Sequence, residues 1–234
     1  MGFELSYLFT GLGFLLVWIL LFIWRKDVRR EMILLSVIFG IVGLVAEPIH
    51  IQDWWKPLTI TNTAVGIEDF LYGFGVGGIA AVIYEEIFKK RIRMRKIGKK
   101  NELKREESMI FFISLFLISF AVLFYVFHVN TFIGATLLLA VGTIVMWIRR
   151  RDLIVDSVAS GILILLVSFA VYSVTEIITP GWVRAFWYFQ NVPNIIIFNV
   201  PIDDIVWFFL AGAFIGPLYE FWQEGRLVNK KDEK

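Results

Sequence analysis

Six carboxylate residues lie in or beside the long apolar segments of this chain. They form two sets of three, spaced similarly along the two halves of the sequence: Glu47, Glu68 and Asp69, then Glu176, Asp203 and Asp204. Ionisable groups in apolar segments are costly and usually serve a function. Crowded carboxylates in such surroundings cannot all ionise, so protonated acids would lie beside carboxylates. This combination predicts general acid and general base chemistry within one pocket.

Helix capping is a competing interpretation for four of these residues. Glu68, Asp69, Asp203 and Asp204 begin their predicted helices, where acidic side chains favour the positive end of the helix dipole and can accept from free amides. Glu47 and Glu176 lie near helix carboxyl ends, where the dipole disfavours negative charge, so capping does not explain them. We therefore predict all six as site residues. The pattern leaves open which carboxylate is the acid and which is the base.

Seven apolar segments position these carboxylates. The 234-residue chain is 58% hydrophobic and its mean hydropathy is +0.73, whereas a helix needs about 20 apolar residues to cross a bilayer. The segments fall near residues 5–24, 32–50, 67–88, 109–127, 131–148, 155–177 and 201–222. The sequence therefore predicts an all-α integral membrane protein with seven transmembrane helices.

The basic residues predict the orientation of these helices. Every Lys and Arg lies outside the apolar segments, and all except Lys56 and Arg184 lie in loops or a tail that share one side of a seven-span topology. Positive charge marks the cytoplasmic face, so we expect a multi-pass protein of the cell membrane with its N-terminus outside and its C-terminus in the cytoplasm. The basic stretch 89–107 could suggest nucleic-acid or anionic-lipid binding. A solvated cytoplasmic linker explains it better, and no nucleic-acid partner is predicted.

Two parts of the chain resemble each other. Residues 67–85 align with residues 202–220, and the identities include Asp69 with Asp204 and Glu85 with Glu220. Upstream, Val45 and Glu47 align with Val174 and Glu176, and Arg25 and Asp27 align with Arg150 and Asp152. Chance similarity among apolar helices fits the acidic matches poorly. The pattern predicts two parallel three-helix repeats, spans 1–3 and 5–7, joined by span 4.

The repeat also predicts the domain organisation. We expect a first repeat over residues 1–88, a basic linker with helix 4 over 89–130, and a second repeat with the tail over 131–234. Parallel repeats are usually related by an axis along the membrane normal, with a site at their interface. The carboxylates of both repeats would then meet in one place.

Several kinds of cofactor site are not indicated. The chain has no cysteine, which excludes disulfides, thiolate catalysis and Cys-ligated metals. His50 and His128 have no partner histidine at metal-ligand spacing, although Glu47 and His50 lie one helical turn apart. The glycine-rich run 73–78 lies inside an apolar segment, where close helix packing explains it better than nucleotide binding. We predict no metal and no cofactor.

Aromatic residues crowd the loops on the predicted outer side. They are Trp54, Trp55, Trp182, Phe186, Trp187, Tyr188 and Phe189. An interfacial aromatic belt explains most of them. Aromatic faces above an acidic pocket could also stabilise a cationic intermediate.

A short motif adds a family resemblance. Pro201, Ile202, Asp203 and Asp204 precede a Phe-rich helix, and Gly66, Ile67, Glu68 and Asp69 precede another. In this order the chain resembles the CarR-type lycopene cyclase domain family, whose three-helix units each carry a Pro-x-Glu-(Glu/Asp) motif. The chain departs from that motif at two positions, where Gly66 replaces the first proline and Asp203 shortens the second glutamate.

The resemblance implies a non-redox cyclisation of a linear carotenoid or another isoprenoid lipid. In such a reaction an acid protonates the terminal double bond, a neighbouring double bond attacks the carbocation, and a base removes a proton to leave a β-type ring. No cofactor is implied. The expected partners are the substrate and membrane lipid, with a second copy of the chain or other carotenoid-pathway enzymes as candidate protein partners.

Two other functions remain open at this stage. The carboxylates could form a proton or cation relay of a small transporter, although such relays usually lie near the bilayer midplane. The two motif departures could instead mark a non-catalytic isoprenoid-binding protein. A microbial-type rhodopsin is excluded because none of the apolar segments contains a lysine that could form a Schiff base with retinal.

Overall fold

The structure, a computed structural model, describes residues 3–93 and 99–229. Its α-helices are α1 Ser6–Trp24, α2 Arg29–His50, α3 Ile67–Ile87, α4 Lys99–Tyr125, α5 Thr131–Arg149, α6 Ile154–Ile178, α7 Trp182–Phe186, α8 Ile202–Ile215 and α9 Leu218–Gln223. The short strands are β1 Lys90–Arg93, β2 Ile196–Ile197, β3 Val200–Pro201 and β4 Arg226–Asn229. Single 3-10 turns, Phe3–Leu5 and Arg151–Leu153, precede α1 and α6.

Within the described residues, seven helical segments are long and apolar enough to cross a membrane. They confirm the predicted fold class and lie close to the seven predicted segments. Two boundaries differ. α4 extends to Lys99, well before the apolar part begins, because Glu, Lys and Arg are good helix formers. The last segment is divided into α8 and α9 at Gly216 and Pro217, since proline lacks the amide hydrogen that would continue the helix.

α3 and α8 form the centre of the bundle. The buried share of the apolar stretch is 67% in α3 and 61% in the segment Ile202–Gln223, which contains α8 and α9, compared with 11% in the segment that contains α4. α3 packs against α1 and α2, whereas α8 packs against α5 and α6. α3 also contacts α6 and α8, so the two central helices join the two halves of the bundle.

Small residues allow these close helix contacts. A Cβ atom added at Gly43 would lie 2.7 Å from the backbone oxygen of Asp69, and one at Gly212 would lie 2.7 Å from the backbone oxygen of Ser160. Larger side chains would separate α2 from α3 and α6 from α8. Glycine therefore has a packing role at equivalent helix pairs, as is common between membrane helices.

The bundle has two ends, which differ in composition. The N-terminal face, where α1 begins, carries loops 51–66, 126–130 and 179–201; the basic face carries the turns after α1 and α5, β1 after α3, and β4 after α9. On the N-terminal face, loops of the two halves are joined by a β-bridge between Trp55 and Trp187. On the basic face, β1 pairs with β4 in an antiparallel ladder.

Two arginines make equivalent contacts on the basic face. Arg25 forms two 2.8 Å hydrogen bonds to Asp27 and donates to the backbone oxygen of Glu85. Arg150 pairs with Asp152 at 2.8 and 2.7 Å and donates to the backbone oxygen of Glu220. The hydrogen bond to the neighbouring aspartate raises the pKa of each arginine. Both halves therefore anchor the end of their central span in the same way.

Candidate active site

A largely apolar cavity of about 130 Å³ lies between the two halves of the bundle, toward the N-terminal face. All seven membrane-spanning segments contribute to its wall. Three carboxyl side chains line it: Glu47 from α2, Asp69 from α3 and Asp204 from α8. They are between 2% and 4% exposed. Both halves thus bring acidic groups to one enclosed space.

Asp69 occupies the first turn of α3. One of its carboxylate oxygens accepts a 2.7 Å hydrogen bond from the hydroxyl of Tyr7 on α1, and the other accepts a 2.7 Å bond from the Gly66 amide. The second bond caps the helix, as one interpretation of the sequence predicted. The same residue lines the cavity, so capping and a place in the site do not exclude each other here.

Asp204 occupies the equivalent turn of α8. Two tyrosine hydroxyls form a hydrogen-bonded row that ends at its carboxylate. The Tyr172 hydroxyl on α6 donates to its carboxylate at 2.5 Å, and the Tyr72 hydroxyl on α3 lies 2.9 Å from that of Tyr172. Because the Tyr172 hydrogen is directed to Asp204, Tyr72 is the donor in the second bond. The row crosses from one half of the bundle to the other.

Glu47 differs from the two aspartates in its surroundings. It lies in the last turn of α2, and one carboxylate oxygen is buried without a hydrogen-bond partner among the described residues. The other lies 3.9 Å from Nδ1 of His50, beyond hydrogen-bond distance. His50 also lines the cavity and packs edge-on against Trp54 and Phe120. Glu47 is therefore a buried carboxyl group with an open side toward the cavity.

The other three predicted site residues do not line the cavity. Glu68 accepts a 2.6 Å bond from the Ile60 amide, and Glu176 accepts a 2.7 Å bond from the Gly181 amide. Both hold loops of the N-terminal face. Asp203 accepts a 2.6 Å bond from the indole of Trp54, which itself lines the cavity. A direct catalytic role for these three residues stays a prediction.

Aromatic rings form much of the wall. Trp54, Trp55 and Trp187 are buried there, not exposed in an interfacial belt. Trp55 lies 4.9 Å from the Tyr7 ring and 5.1 Å from the Trp187 ring, measured between centroids. Their faces and edges enclose the space beside the carboxyl groups.

Sequence reasoning did not find the three tyrosines. Tyr7, Tyr72 and Tyr172 were not distinguished from other aromatic residues of the apolar segments. A signal was present, since each lies at the same predicted end of its segment as the carboxylates. His50 was noted only for its spacing from Glu47.

One comparison with known proteins gave a match. The family model described as Lycopene cyclase matches residues 4–87 and 130–222, about three quarters of the chain. Two matched segments separated by an unmatched stretch are consistent with a tandem form of the family domain. No curated protein and no solved structure matches the chain.

Proposed function

The chain belongs to the lycopene cyclase family, and we propose that it closes a ring at the end of a linear carotenoid, using the carboxyl groups of the cavity between its two halves. The observation that carries this proposal is the convergence of Glu47, Asp69 and Asp204 on one apolar, aromatic-lined space. Carbocation chemistry needs an acid, a base and the exclusion of water in one place. The cavity offers all three.

Glu47 is the proposed acid. No described residue donates a hydrogen bond to it, so its surroundings do not favour the anion. The proton would pass from its carboxyl group to the terminal double bond, forming a C–H bond and leaving a tertiary cation. A second double bond of the substrate then attacks the cation, and this step forms the C–C bond of the ring.

Asp69 and Asp204 are the candidate bases. Each accepts a hydrogen bond from a tyrosine hydroxyl, and such bonds favour the ionised carboxylate. Removal of a ring proton by one of them gives the new double bond. One proton enters and one leaves, so the reaction is an isomerisation and needs no oxidant or reductant. Tyr72 interacts electrostatically with both Glu47 and Asp204, so its hydroxyl is near both the proposed acid and one candidate base.

The aromatic wall suits the intermediate. Ring faces attract a cation, and the attraction is larger where water is excluded. Trp54, Trp55 and Trp187 are buried beside the carboxyl groups. They would stabilise positive charge without providing a nucleophile that could trap it.

The size and position of the cavity suit one end of the substrate. A cavity of about 150 Å³ can hold a benzene molecule, so the 130 Å³ space here is on the scale of one six-membered ring. Half-buried residues of α2 and α4, among them Val42, Phe116 and Leu117, line one side of it. A membrane-dissolved chain would enter laterally there, with most of its length remaining among the lipids.

Expression in lycopene-accumulating bacteria tests the proposal, provided that lycopene is first accumulated in ordinary water and the enzyme is induced after transfer to deuterium oxide, with further carotenoid synthesis blocked. We expect cyclised carotenoid that carries one added deuterium per ring, because the proton comes from an exchangeable carboxyl group. Glu106→Gln, an exposed change on α4, is the matched control and should give the same product. Unchanged lycopene in cells that contain normal amounts of folded protein would refute cyclisation of that substrate, and unlabelled rings would refute the acid mechanism.

A further inference from the structure

A second group of buried carboxylates lies at the basic face, away from the cavity. One carboxylate oxygen from each of Glu85, Asp156 and Glu220 lies within 4.8 Å of the other two. Glu31 interacts electrostatically with Glu85 and Asp156, and Glu220 interacts with Glu31. All four side chains are at most 2% exposed. The proposed cyclisation makes no use of them.

The group is divided equally between the two halves. Glu31 begins α2 and Asp156 begins α6, at equivalent distances after Arg25 and Arg150. The other two members, Glu85 on α3 and Glu220 on α9, are aligned residues of the repeat. Each half therefore contributes two carboxylates from equivalent positions, and the four meet at the interface.

These carboxylates lack the protein partners that buried acids normally have. Among the described residues, no donor reaches the carboxyl oxygens of Glu31, Glu85 and Glu220. The carboxyl groups of Glu85 and Glu220 contact each other, which makes a hydrogen bond only when one of them carries a proton. Asp156 accepts one 3.0 Å bond, from Ser160. Burial of unpaired carboxylates is strongly unfavourable, so the group either takes up protons or holds a positive charge among its members.

The neighbouring arginines provide only part of that charge. Arg25 forms side-chain ion pairs with Asp27 and, at 3.4 Å, with Glu86, and Arg150 forms one with Asp152. Each arginine also interacts electrostatically with one member of the group, Arg25 with Glu85 and Arg150 with Glu220. Toward the group they donate only to the backbone oxygens of Glu85 and Glu220. These contacts hold the ends of the central spans in place, and the carboxylates remain directed at one another.

We propose that Glu31, Glu85, Asp156 and Glu220 bind one divalent cation of the hard, oxygen-preferring class, such as Mg²⁺, Mn²⁺ or Ca²⁺. Oxygen ligands lie about 2.0–2.6 Å from such ions, so ligands of one ion are separated by no more than about 4–5 Å, in agreement with the spacing of Glu85, Asp156 and Glu220. Glu31 lies outside that spacing, but it is buried and unpartnered beside the three and adds negative charge to the site. The cation would join the two halves at the basic face and does not depend on the cyclase activity.

Binding of Mn²⁺ to the full chain, purified in detergent and treated with EDTA, tests the proposal. Electron paramagnetic resonance of free Mn²⁺ should show one saturable site per chain. Thermal unfolding should shift upward with Mn²⁺, Mg²⁺ or Ca²⁺ but not with KCl of equal ionic strength, because an ion that binds only the folded state stabilises it by mass action.

Two variants identify the ligands. The double change Glu85→Gln with Glu220→Gln should weaken Mn²⁺ binding at least tenfold and abolish the thermal shift, and Glu31→Gln should weaken binding less. Glu106→Gln, with an exposed carboxylate outside the group, should bind Mn²⁺ like the unmodified protein. If the double variant does not fold, Glu31→Gln and the titration of the unmodified chain still decide the matter.

Two outcomes would overturn the proposal. One is the absence of saturable Mn²⁺ binding by the unmodified chain, which would leave the group as protonated acids. The other is full binding in both amide variants, which would place the ion elsewhere.

Discussion

The two halves of this protein have the same order of three membrane-spanning segments, but they present different side chains to the cavity. Asp69 and Asp204 occupy equivalent first turns, yet Asp69 receives its tyrosine hydroxyl from α1 and Asp204 receives it from α6. The residue aligned with Tyr172 in the first half is Gly43. Both residues line the cavity, so the second half contributes a tyrosine hydroxyl at a position where the first half has no side chain.

The aligned glutamates show the same divergence. Glu47 lines the cavity, whereas Glu176 accepts a hydrogen bond from the Gly181 amide and holds a loop. Each of these carboxylates has an aligned copy in the other half. Because the neighbouring residues differ between the halves, the two copies have different surroundings. An acid and a base must differ in protonation state, so the loss of symmetry is what the proposed reaction requires.

The largest expected effect comes from changing the two aligned glutamates separately. Glu47→Gln should lower the rate of cyclisation about 100-fold or more, the contribution typical of a general acid. Glu176→Gln should keep most of the activity because its carboxylate lies outside the cavity. Pigment analysis, with immunoblotting for protein amount, measures both. Equal losses in the two variants would mean that the halves are functionally equivalent at this position.

A smaller difference is expected between the two tyrosines that donate to the aspartates. Tyr172→Phe removes two hydrogen bonds, one to Asp204 and one from Tyr72, whereas Tyr7→Phe removes one and leaves Asp69 bonded to the Gly66 amide. A hydrogen bond to a charged group contributes about 1.5–3 kcal/mol, so we expect about a tenfold loss of rate for Tyr7→Phe and a larger loss for Tyr172→Phe. Initial rates in liposomes containing lycopene measure this.

The exposed Tyr125 on α4 provides the control for that pair. Tyr125→Phe should leave the rate unchanged. A larger loss for Tyr7→Phe than for Tyr172→Phe would make Asp69 the more important base.

The glycine contacts should be alike in the two halves. Gly43→Ala and Gly212→Ala each place a Cβ atom 2.7 Å from a backbone oxygen of the neighbouring helix, and overpacking of this kind costs about 1–3 kcal/mol. Gly134→Ala is the matched control, since its nearest neighbour would be 3.7 Å away. Thermal unfolding in detergent should show lower midpoints for the first two only. An unchanged unfolding midpoint for either variant would show that its two helices can move apart without a loss of stability.

The smallest effect is expected at the two arginines of the basic face. Lysine cannot form the two-pronged pair with aspartate that arginine forms, so Arg25→Lys should destabilise the protein by about 1 kcal/mol. Arg150→Lys should cost less because its side chain is 22% exposed, compared with 7% for Arg25. The exposed neighbour Arg149→Lys is the control. Thermal unfolding measures both costs, and the reverse order would contradict the dependence on burial.

The membrane spans were predictable because hydropathy over about 20 residues dominates every other signal. The repeat was visible because polar identities stand out among apolar residues. The division of the last span was not predicted, although Pro217 marks it. The domain boundaries and the sidedness of the bundle stay predictions.

The site was only partly predictable, and helix geometry explains why. Adjacent residues of an α-helix point about 100° apart around its axis, and here only Asp69 of the first pair and Asp204 of the second line the cavity. The sequence shows both acidic pairs. It does not show how each helix is rotated about its own axis, and this rotation determines which acid of each pair lines the cavity. The group on the basic face was missed for a related reason. Glu85 and Glu220 are aligned residues near the ends of their spans, and only the packing of the two halves brings them together.

The row formed by Tyr72, Tyr172 and Asp204 has a direction, and that direction depends on a single charge. While Asp204 is negative, each hydroxyl hydrogen points toward it. Once Asp204 has taken a proton, the reason for that direction is gone, and the whole row can reverse by rotation of O–H bonds alone. In the proposed reaction, protonation of Asp204 in the second half would therefore change the direction of the Tyr72 hydroxyl in the first half.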